Sequence, residues 1–342
     1  MKILIVGPSW IGDMVMAQAL FKSLKQEHPQ ATIDVLAPAW TRAILQRMPE
    51  VTEAIVMPVG HGELGLGKRL KLGRELKRQA YDQAIVLPNS FKSALVPRFA
   101  GIPLRTGWRG EARGWLLNDC RTLDKEAYPL MVERFVALAY PAQSRLPHPL
   151  PQPALSINEN HEALLSKLDL DSDRPIIVFC PGAEFGPAKK WPENYFAEVA
   201  DVLIKEGRQV WLLGSDNDRQ SCEAILDQLA EPEQAHCRNL AGLTSIGEAV
   251  DLLSLAALVL SNDSGLMHVA AALGKKLVVI YGSTSPDFTP PLTDKVAILR
   301  LDLPCSPCFQ RECPLGHLDC LRKLQASTVT DTIGKLLEQN EA

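Results

Sequence analysis

Apolar runs of four or five residues, each ending in a polar or glycine-containing corner and followed by a helical stretch, recur along this chain and restrict its fold more than any other feature. Runs this short, alternating with amphipathic helices, are the pattern of parallel strands covered on both faces. The pattern occurs twice. Strands are expected over 3–6, 33–36, 54–57 and 84–87, with helical spacing over 14–27. They are expected again over 176–180, 210–213, 258–261 and 277–281, with a helix over 193–206. Between the halves, YPAQSRLPHPLPQPALS carries Pro141, Pro147, Pro149, Pro151 and Pro153, a density that sustains neither a helix nor a central strand. At 342 residues the chain is long for one core. The expectation is therefore α/β: two doubly wound domains, 1–150 and 151–342, facing a cleft. Ligands of such folds gather where strand C-ends meet helix N-ends, so the corners after strands carry the search for chemistry.

Composition narrows the function classes. Apolar residues make up 46% and charged residues 22%, as in an ordinary globular protein, and a net charge of −4 gives no global attraction to nucleic acid. No apolar stretch approaches the roughly 18 residues that span a bilayer. The opening MKILIVGPSW is too short in its apolar run for a secretion signal and reads as a first strand. A cytoplasmic protein is expected, with Cys120, Cys180, Cys222 and Cys237 as buried thiols in a reducing compartment.

Four corners bear candidate site residues. In NDSGLMHVAAALG, a helix N-terminus presents unpaired N–H groups and partial positive charge, a seat for phosphate. Gly265 permits close approach, Ser264 adds a donor, and His268 follows about one turn later. The competing reading makes Asp263 and Ser264 an N-cap and His268 a packed core residue; Gly274 supplies the C-cap in either case. In CPGAEFGPAKKWPENY, Lys189 stands just before a helix, where it can neutralise a leaving phosphate without metal; the competing reading is a solvated lysine pair. In LLGSDNDRQ, Asp216 and Asp218 suit ribose hydroxyls, an Asp-x-Asp metal contact or a helix N-cap. Asp171 and Asp173 repeat the spacing. In GPSWIGDMV, Gly7 and Gly12 stand too far apart for the dinucleotide fingerprint, which disfavours a nicotinamide cofactor. Asp13 there suits a proton acceptor for an incoming hydroxyl. The alternative is a first-turn carboxylate favoured by the helix dipole, which would hold its pKa low.

The strings GPSWIGDMVM, LPNSFKSALVPRFAGIPLRTGWRGE, CPGAEFGPAKKWP, NDSGLMHVAAALG and YGSTSPDFTPPL together closely resemble the ADP-heptose:lipopolysaccharide heptosyltransferases, glycosyltransferase family 9. The likeness runs nearly end to end. It implies a GT-B fold of two Rossmann-like domains, with acceptor on the N-terminal one and ADP-heptose mainly on the C-terminal one. It implies inverting transfer of L-glycero-D-manno-heptose to the first heptose of the lipopolysaccharide inner core. Carried over residue by residue, it implies Asp13 as general base, with Ser9, Trp10 and Gly12 in the neighbouring loop. It implies Lys189 against the diphosphate and Asp263, Ser264, Gly265 and His268 as the donor-binding turn. The ribose contact stays open between Asp216 and Asp218. Such a displacement needs a base on one side of the sugar and stabilised negative charge on the other, and no metal. Another family-9 transferase with a different acceptor, and a non-catalytic nucleotide-sugar-binding protein, are the alternatives; the latter would need only the C-terminal corners.

The resemblance implies as acceptor Kdo-lipid A carrying one heptose, at the cytoplasmic face of the inner membrane. GKRLKLGRELKRQAYD crowds Lys68, Arg69, Lys71, Arg74, Lys77 and Arg78 together, a patch suited to that anionic glycolipid and to peripheral contact with the bilayer. Asn89, Ser90, Lys92, Arg105 and Arg109 are further acceptor-side candidates. A solvated basic helix is the plain alternative. Finally, PCSPCFQRECPLGHLDC sets Cys305, Cys308, Cys313 and Cys320 at C-x2-C-x4-C-x6-C. That spacing suggests structural zinc or an iron–sulfur cluster, with His317 as substitute ligand; free thiols and disulfides remain alternatives.

Overall fold

The structure, a computed structural model, describes residues 1–60 and 62–338. The chain divides into two compact units, Met1–Ser156 and Ile157 onward. The first contains the strands β1 (Lys2–Val6), β2 (Thr32–Ala37), β3 (Glu53–Val56), β4 (Gln83–Val86), β5 (Leu104–Trp108) and β6 (Asp119–Arg121). They form one parallel sheet in the order β3-β2-β1-β4-β5-β6. The second contains β7 (Ile176–Cys180), β8 (Gln209–Leu212), β9 (Cys237–Asn239), β10 (Leu258–Asn262), β11 (Lys276–Ile280) and β12 (Val296–Leu299). Their parallel sheet runs β12-β11-β10-β7-β8-β9.

The expected strands are the four inner ones of the second sheet and, in the first, β1, β2 and β4 with the edge strand β3; the inner strand β5 was missed because it opens with exposed Leu104 and half-buried Arg105. Ile3, Leu4 and Ile5, Ile177 to Phe179, and Leu258 to Leu260 are wholly buried. A strand covered on both faces must be apolar throughout, so it stands out in a sequence. Four strands were not expected: β5, β6, β9 and β12. β6 and β9 have three residues each, with Asp119, Arg121 and Arg238 among them, and it is pairing with a neighbour that makes them strands.

The helix after β1 begins at Ile11, ahead of the expected start at 14, because Gly12 and Asp13 fill a first turn that apolar spacing does not mark. The helix Glu193–Lys205 matches its expectation closely and packs on Arg219–Leu226 and Ala326–Glu338. The proline-rich segment is not a free tether along its whole length. The Gln18 amide donates to the Ala154 carbonyl and accepts from the Ala154 N–H, both at 2.8 Å, and Lys22 donates to the Gln152 carbonyl. These bonds attach the segment to the first unit, and the division falls after Ser156 rather than at 150.

In each unit the first strand lies beside the fourth, β1 beside β4 and β7 beside β10. The chain leaves the first strand in one direction and returns on its other side. This reversal opens a crevice at the strand C-ends, the usual ligand site of doubly wound sheets.

Candidate functional site

In the second unit the corners around β7 and β10 are stitched together by side chains. Lys189 ends a short 3-10 turn, Pro187–Lys189. Its ammonium donates to Asp263 Oδ2 at 2.6 Å and to the Asp263 carbonyl at 3.3 Å. Thr284, beyond β11, donates its hydroxyl to the same carboxylate oxygen. Asn262 is wholly buried; its amide donates to the Pro181 carbonyl at 2.7 Å and accepts from Trp191 N–H at 3.2 Å. Lys190 pairs with Asp218 at 3.1 Å, and Asp218 Oδ2 accepts from the Ser215 amide and hydroxyl. Glycines make this packing possible, since a Cβ on Gly182 or Gly214 would lie 2.4 or 2.8 Å from the Asp218 side chain. The solvated-pair reading of Lys189 and Lys190 is thereby excluded: both are paired, and the Lys189 side chain is only 13% exposed.

The helix Gly265–Ala272 starts directly behind this cluster. Ser264 occupies its N-cap position in extended conformation and makes no capping hydrogen bond; its hydroxyl lies 3.2 Å from that of Ser261. The Asp263 carboxylate is committed to Lys189 and Thr284. Neither residue caps the helix by a side-chain bond, and the first-turn N–H groups keep their capacity for an anion. His268 is 5% exposed, and burial outweighs the attraction of Asp263, bringing its pKa down to about 4. The ring is neutral at physiological pH, so toward an anion it offers an N–H and not a charge. Gly274, at φ +65°, ends the helix region as expected.

Asp216 and Asp218 have different tasks. Asp218 is buried under Lys190, whereas Asp216 is exposed and paired with Arg219 at 3.2 Å. The two carboxylates are thus engaged by different cations. Asp171, also exposed, accepts from the Asp173 N–H and the Gln209 side chain, a turn at the foot of the sheet.

In the first unit the corners after β1 and β4 are furnished differently. Asp13 lies half-buried in the first turn of Ile11–Glu27, behind an extended Trp10 that provides no side-chain cap. Gly12 is buried, Trp10 is exposed, and the Ser9 carbonyl accepts from the Trp40 indole at 2.8 Å. After β4, residues 88–93 are organised by Arg113, which apolar patterning did not single out. Its fully buried guanidinium donates to the carbonyls of Trp108 and Pro88, to Asn89 Oδ1 and to the Ser93 hydroxyl. Burial lowers its pKa to about 10, so it remains charged and is solvated by carbonyls in place of water.

Two of the basic candidates have structural tasks. Arg69 is buried and donates to the Leu64 carbonyl at 2.7 Å; it is not part of a solvent-facing patch. Arg105 donates to the carbonyls of Leu116 and Ile102. Lys68, Lys71, Arg74, Lys77 and Arg78 are exposed, and Lys71, Arg74 and Arg78 border one open depression along the helix Leu66–Leu76 and the turn after it.

None of the eight cysteines is in a disulfide. Cys180, Cys222 and Cys237 are buried, and burial raises all three thiols, the latter two to about 12. Cys120 is half-buried. Cys305, Cys308, Cys313 and Cys320 line a single cavity of about 20 Å³ together with Ser283, whose buried hydroxyl has no hydrogen-bond partner, and His317. Backbone N–H groups of Leu318, Leu315, Gly316 and His317 hold the Cys313 thiol below its ordinary range. Among the described residues no three His, Cys, Asp or Glu side chains stand close enough to hold a metal ion as they are.

A family model described as Glycosyltransferase family 9 (heptosyltransferase) matches residues 69–319. The chain belongs to glycosyltransferase family 9. It is 53% identical over 348 residues to "Lipopolysaccharide heptosyltransferase 2" of Escherichia coli (strain K12), spanning all of both chains. It is 57% identical over 307 residues to the protein of the same name from Salmonella typhimurium (strain LT2), spanning 88% of each. A solved structure of E. coli ADP-heptose lps heptosyltransferase II superposes with a TM-score of 0.91, at 51% identity over the whole of both chains. This family-9 glycosyltransferase therefore has the two-sheet α/β architecture of the GT-B heptosyltransferases, and the Asp13 corner, outside the family-model match, lies within the full-length similarity.

Proposed function

We propose that this glycosyltransferase moves L-glycero-D-manno-heptose from ADP-heptose to the first heptose of the lipopolysaccharide inner core, with inversion. The observation that carries the reading is the Lys189 ammonium, fixed 2.6 Å from Asp263 beside a helix N-terminus without a side-chain cap. Two of its donors go to Asp263 and one remains for a phosphate oxygen. Preorganised positive charge of this kind stabilises departing ADP more than bound donor, because the charge develops as the glycosidic bond breaks. Ser264 and Gly265 bring the backbone N–H groups to the same anion, and His268 contributes as a neutral donor. Asp216, the exposed member of its pair, takes the ribose hydroxyls. Asp13 removes the proton from the attacking acceptor hydroxyl, with Ser9, Trp10 and Gly12 shaping its loop. The chemistry uses no metal.

Relatives named lipopolysaccharide heptosyltransferase 2 support a lipopolysaccharide acceptor; the acceptor proposed is Kdo-lipid A carrying one heptose. No helix among the described residues is long and apolar enough to cross a membrane. The exposed Lys71, Arg74 and Arg78 suit peripheral contact with an anionic cytoplasmic leaflet, and no nucleic acid is involved. A transfer assay with ADP-heptose and cores carrying zero, one or two heptoses tests the proposal. Use of the one-heptose core alone is expected. Use of the heptose-free core would select another family-9 activity, and donor binding without any transfer would select a nucleotide-sugar-binding protein.

A structural role is proposed for the cysteine cluster. Zinc or an iron–sulfur group would be held by Cys305, Cys308, Cys313 and Cys320, whose thiols surround one cavity and would close on the guest. The small cavity suits a single ion better than a multi-iron cluster. Elemental analysis of freshly purified protein is expected to give about one ion per chain; metal-free, stably folded protein would reject the role.

A further inference from the structure

The cysteine-rich segment has no part in the chemistry above, yet it is attached to the donor corners. Ala188 N–H donates to the Arg311 carbonyl at 3.0 Å, one residue before Lys189. Gly186, at φ +155°, is where the two loops touch: a Cβ there would lie 2.5 Å from the Arg311 carbonyl oxygen. Phe309 N–H donates to the Ser283 carbonyl, and the Ser306 hydroxyl to the Gly282 carbonyl, each at 2.7 Å. The segment therefore rests on the two corners that send Lys189 and Thr284 to Asp263.

One side chain on this segment is placed for a ligand. The Arg311 guanidinium lies 5.6 Å from the centroid of the Phe185 ring, and the Lys189 ammonium lies 5.1 Å from the same centroid. Lys189 has Asp263 as counter-ion. Arg311 is exposed and has no carboxylate partner among the described residues. Of these two cations beside one ring only Lys189 has a carboxylate counter-ion, which leaves a positive charge for an anion to neutralise. A guanidinium resting on an aromatic ring keeps its N–H fork available and loses little conformational freedom on binding phosphate.

We infer that Arg311 is a second cation of the donor site, contacting the diphosphate of ADP-heptose beside Lys189. The inference rests on the donor reading above and deepens it. It also gives the cysteine cluster a purpose: the turn between Cys308 and Cys313 presents Arg311, and the knuckle around Cys313 keeps that turn in place.

The test is calorimetric binding of ADP and of AMP to the full-length wild type, Arg311→Gln, Arg311→Lys and Lys189→Gln. Arg311→Gln is expected to weaken ADP about 10-fold and AMP less than about 3-fold, because a charge-assisted contact to the distal phosphate exists only for ADP. Arg311→Lys, which keeps the charge but not the planar fork, is expected to recover only part of the loss. Its side chain is exposed, so thermal unfolding should not move. If Arg311→Gln binds ADP like the wild type while Lys189→Gln does not, Arg311 is a solvated surface cation and the inference falls with the donor reading intact. Equal weakening of ADP and AMP overturns it as well. If neither variant changes ADP affinity, the donor reading itself is wrong.

Discussion

At the switch point of the second unit, charged groups reach from corner to corner: Lys189 to Asp263, Lys190 to Asp218, with the buried Asn262 joining Pro181 and Trp191. At the switch point of the first unit the binding partners are mostly carbonyls, gathered by the buried Arg113, while Trp10 and Arg109 remain exposed. The strand order is the same and the furnishing is not. A compact leaving group that gains negative charge as it departs requires fixed positive charge in a fixed place. A large glycolipid requires an accessible surface with one well-placed base. The difference supports the proposal that nucleotide binds to the second unit and acceptor to the first.

Lys189→Ala should give the largest effect, a fall of about 100- to 1000-fold in kcat/KM with weaker ADP binding and an unchanged acceptor KM. An altered acceptor KM with normal ADP affinity would reverse the assignment. Next, Arg113→Met strands several carbonyls and should cost about 3 kcal/mol in denaturant unfolding. It should raise the acceptor KM and leave ADP affinity alone; an equal change in both would deny that the two corners act separately.

A smaller effect concerns pH. His268 has a folded pKa of about 4 against an ordinary value of 6.5, so on acidification the unfolded chain takes up this proton first. Its contribution to stability is present above 6.5 and is lost between 6.5 and 4. His268→Asn should flatten that part of the curve of Tm against pH, and superimposable curves would show that the ring is not held neutral. The smallest effect is expected from charge reversal at Lys71, Arg74 and Arg78: a rise of about threefold in acceptor KM that fades as salt is raised. Arg69 is left out because it is buried and bonded to Leu64.

Seven of the inner strands, β1, β2, β4, β7, β8, β10 and β11, were legible in the sequence, because burial on both faces demands apolar runs; inner β5, which opens with exposed Leu104 and half-buried Arg105, was not. Connections between distant corners were not legible either. The bond from Asn262 to Pro181, the Thr284 contact to Asp263 and the Arg113 cradle join residues whose separation carries no periodic signal. Basic spacing placed Arg69 with its neighbours, whereas the helix turned it inward. Nor did sequence show that Asp218 is buried beneath Lys190 while Asp216 is exposed beside Arg219.

The central claim is that the base and the donor cradle belong to different units and fail independently. Asp13→Ala, assayed for heptosyl transfer and for ADP-heptose affinity in one preparation, addresses it most directly. The account predicts loss of transfer with donor affinity kept within about twofold of the wild type, since general-base removal acts on the chemical step. Normal turnover in that variant, or loss of donor binding along with transfer, would contradict it.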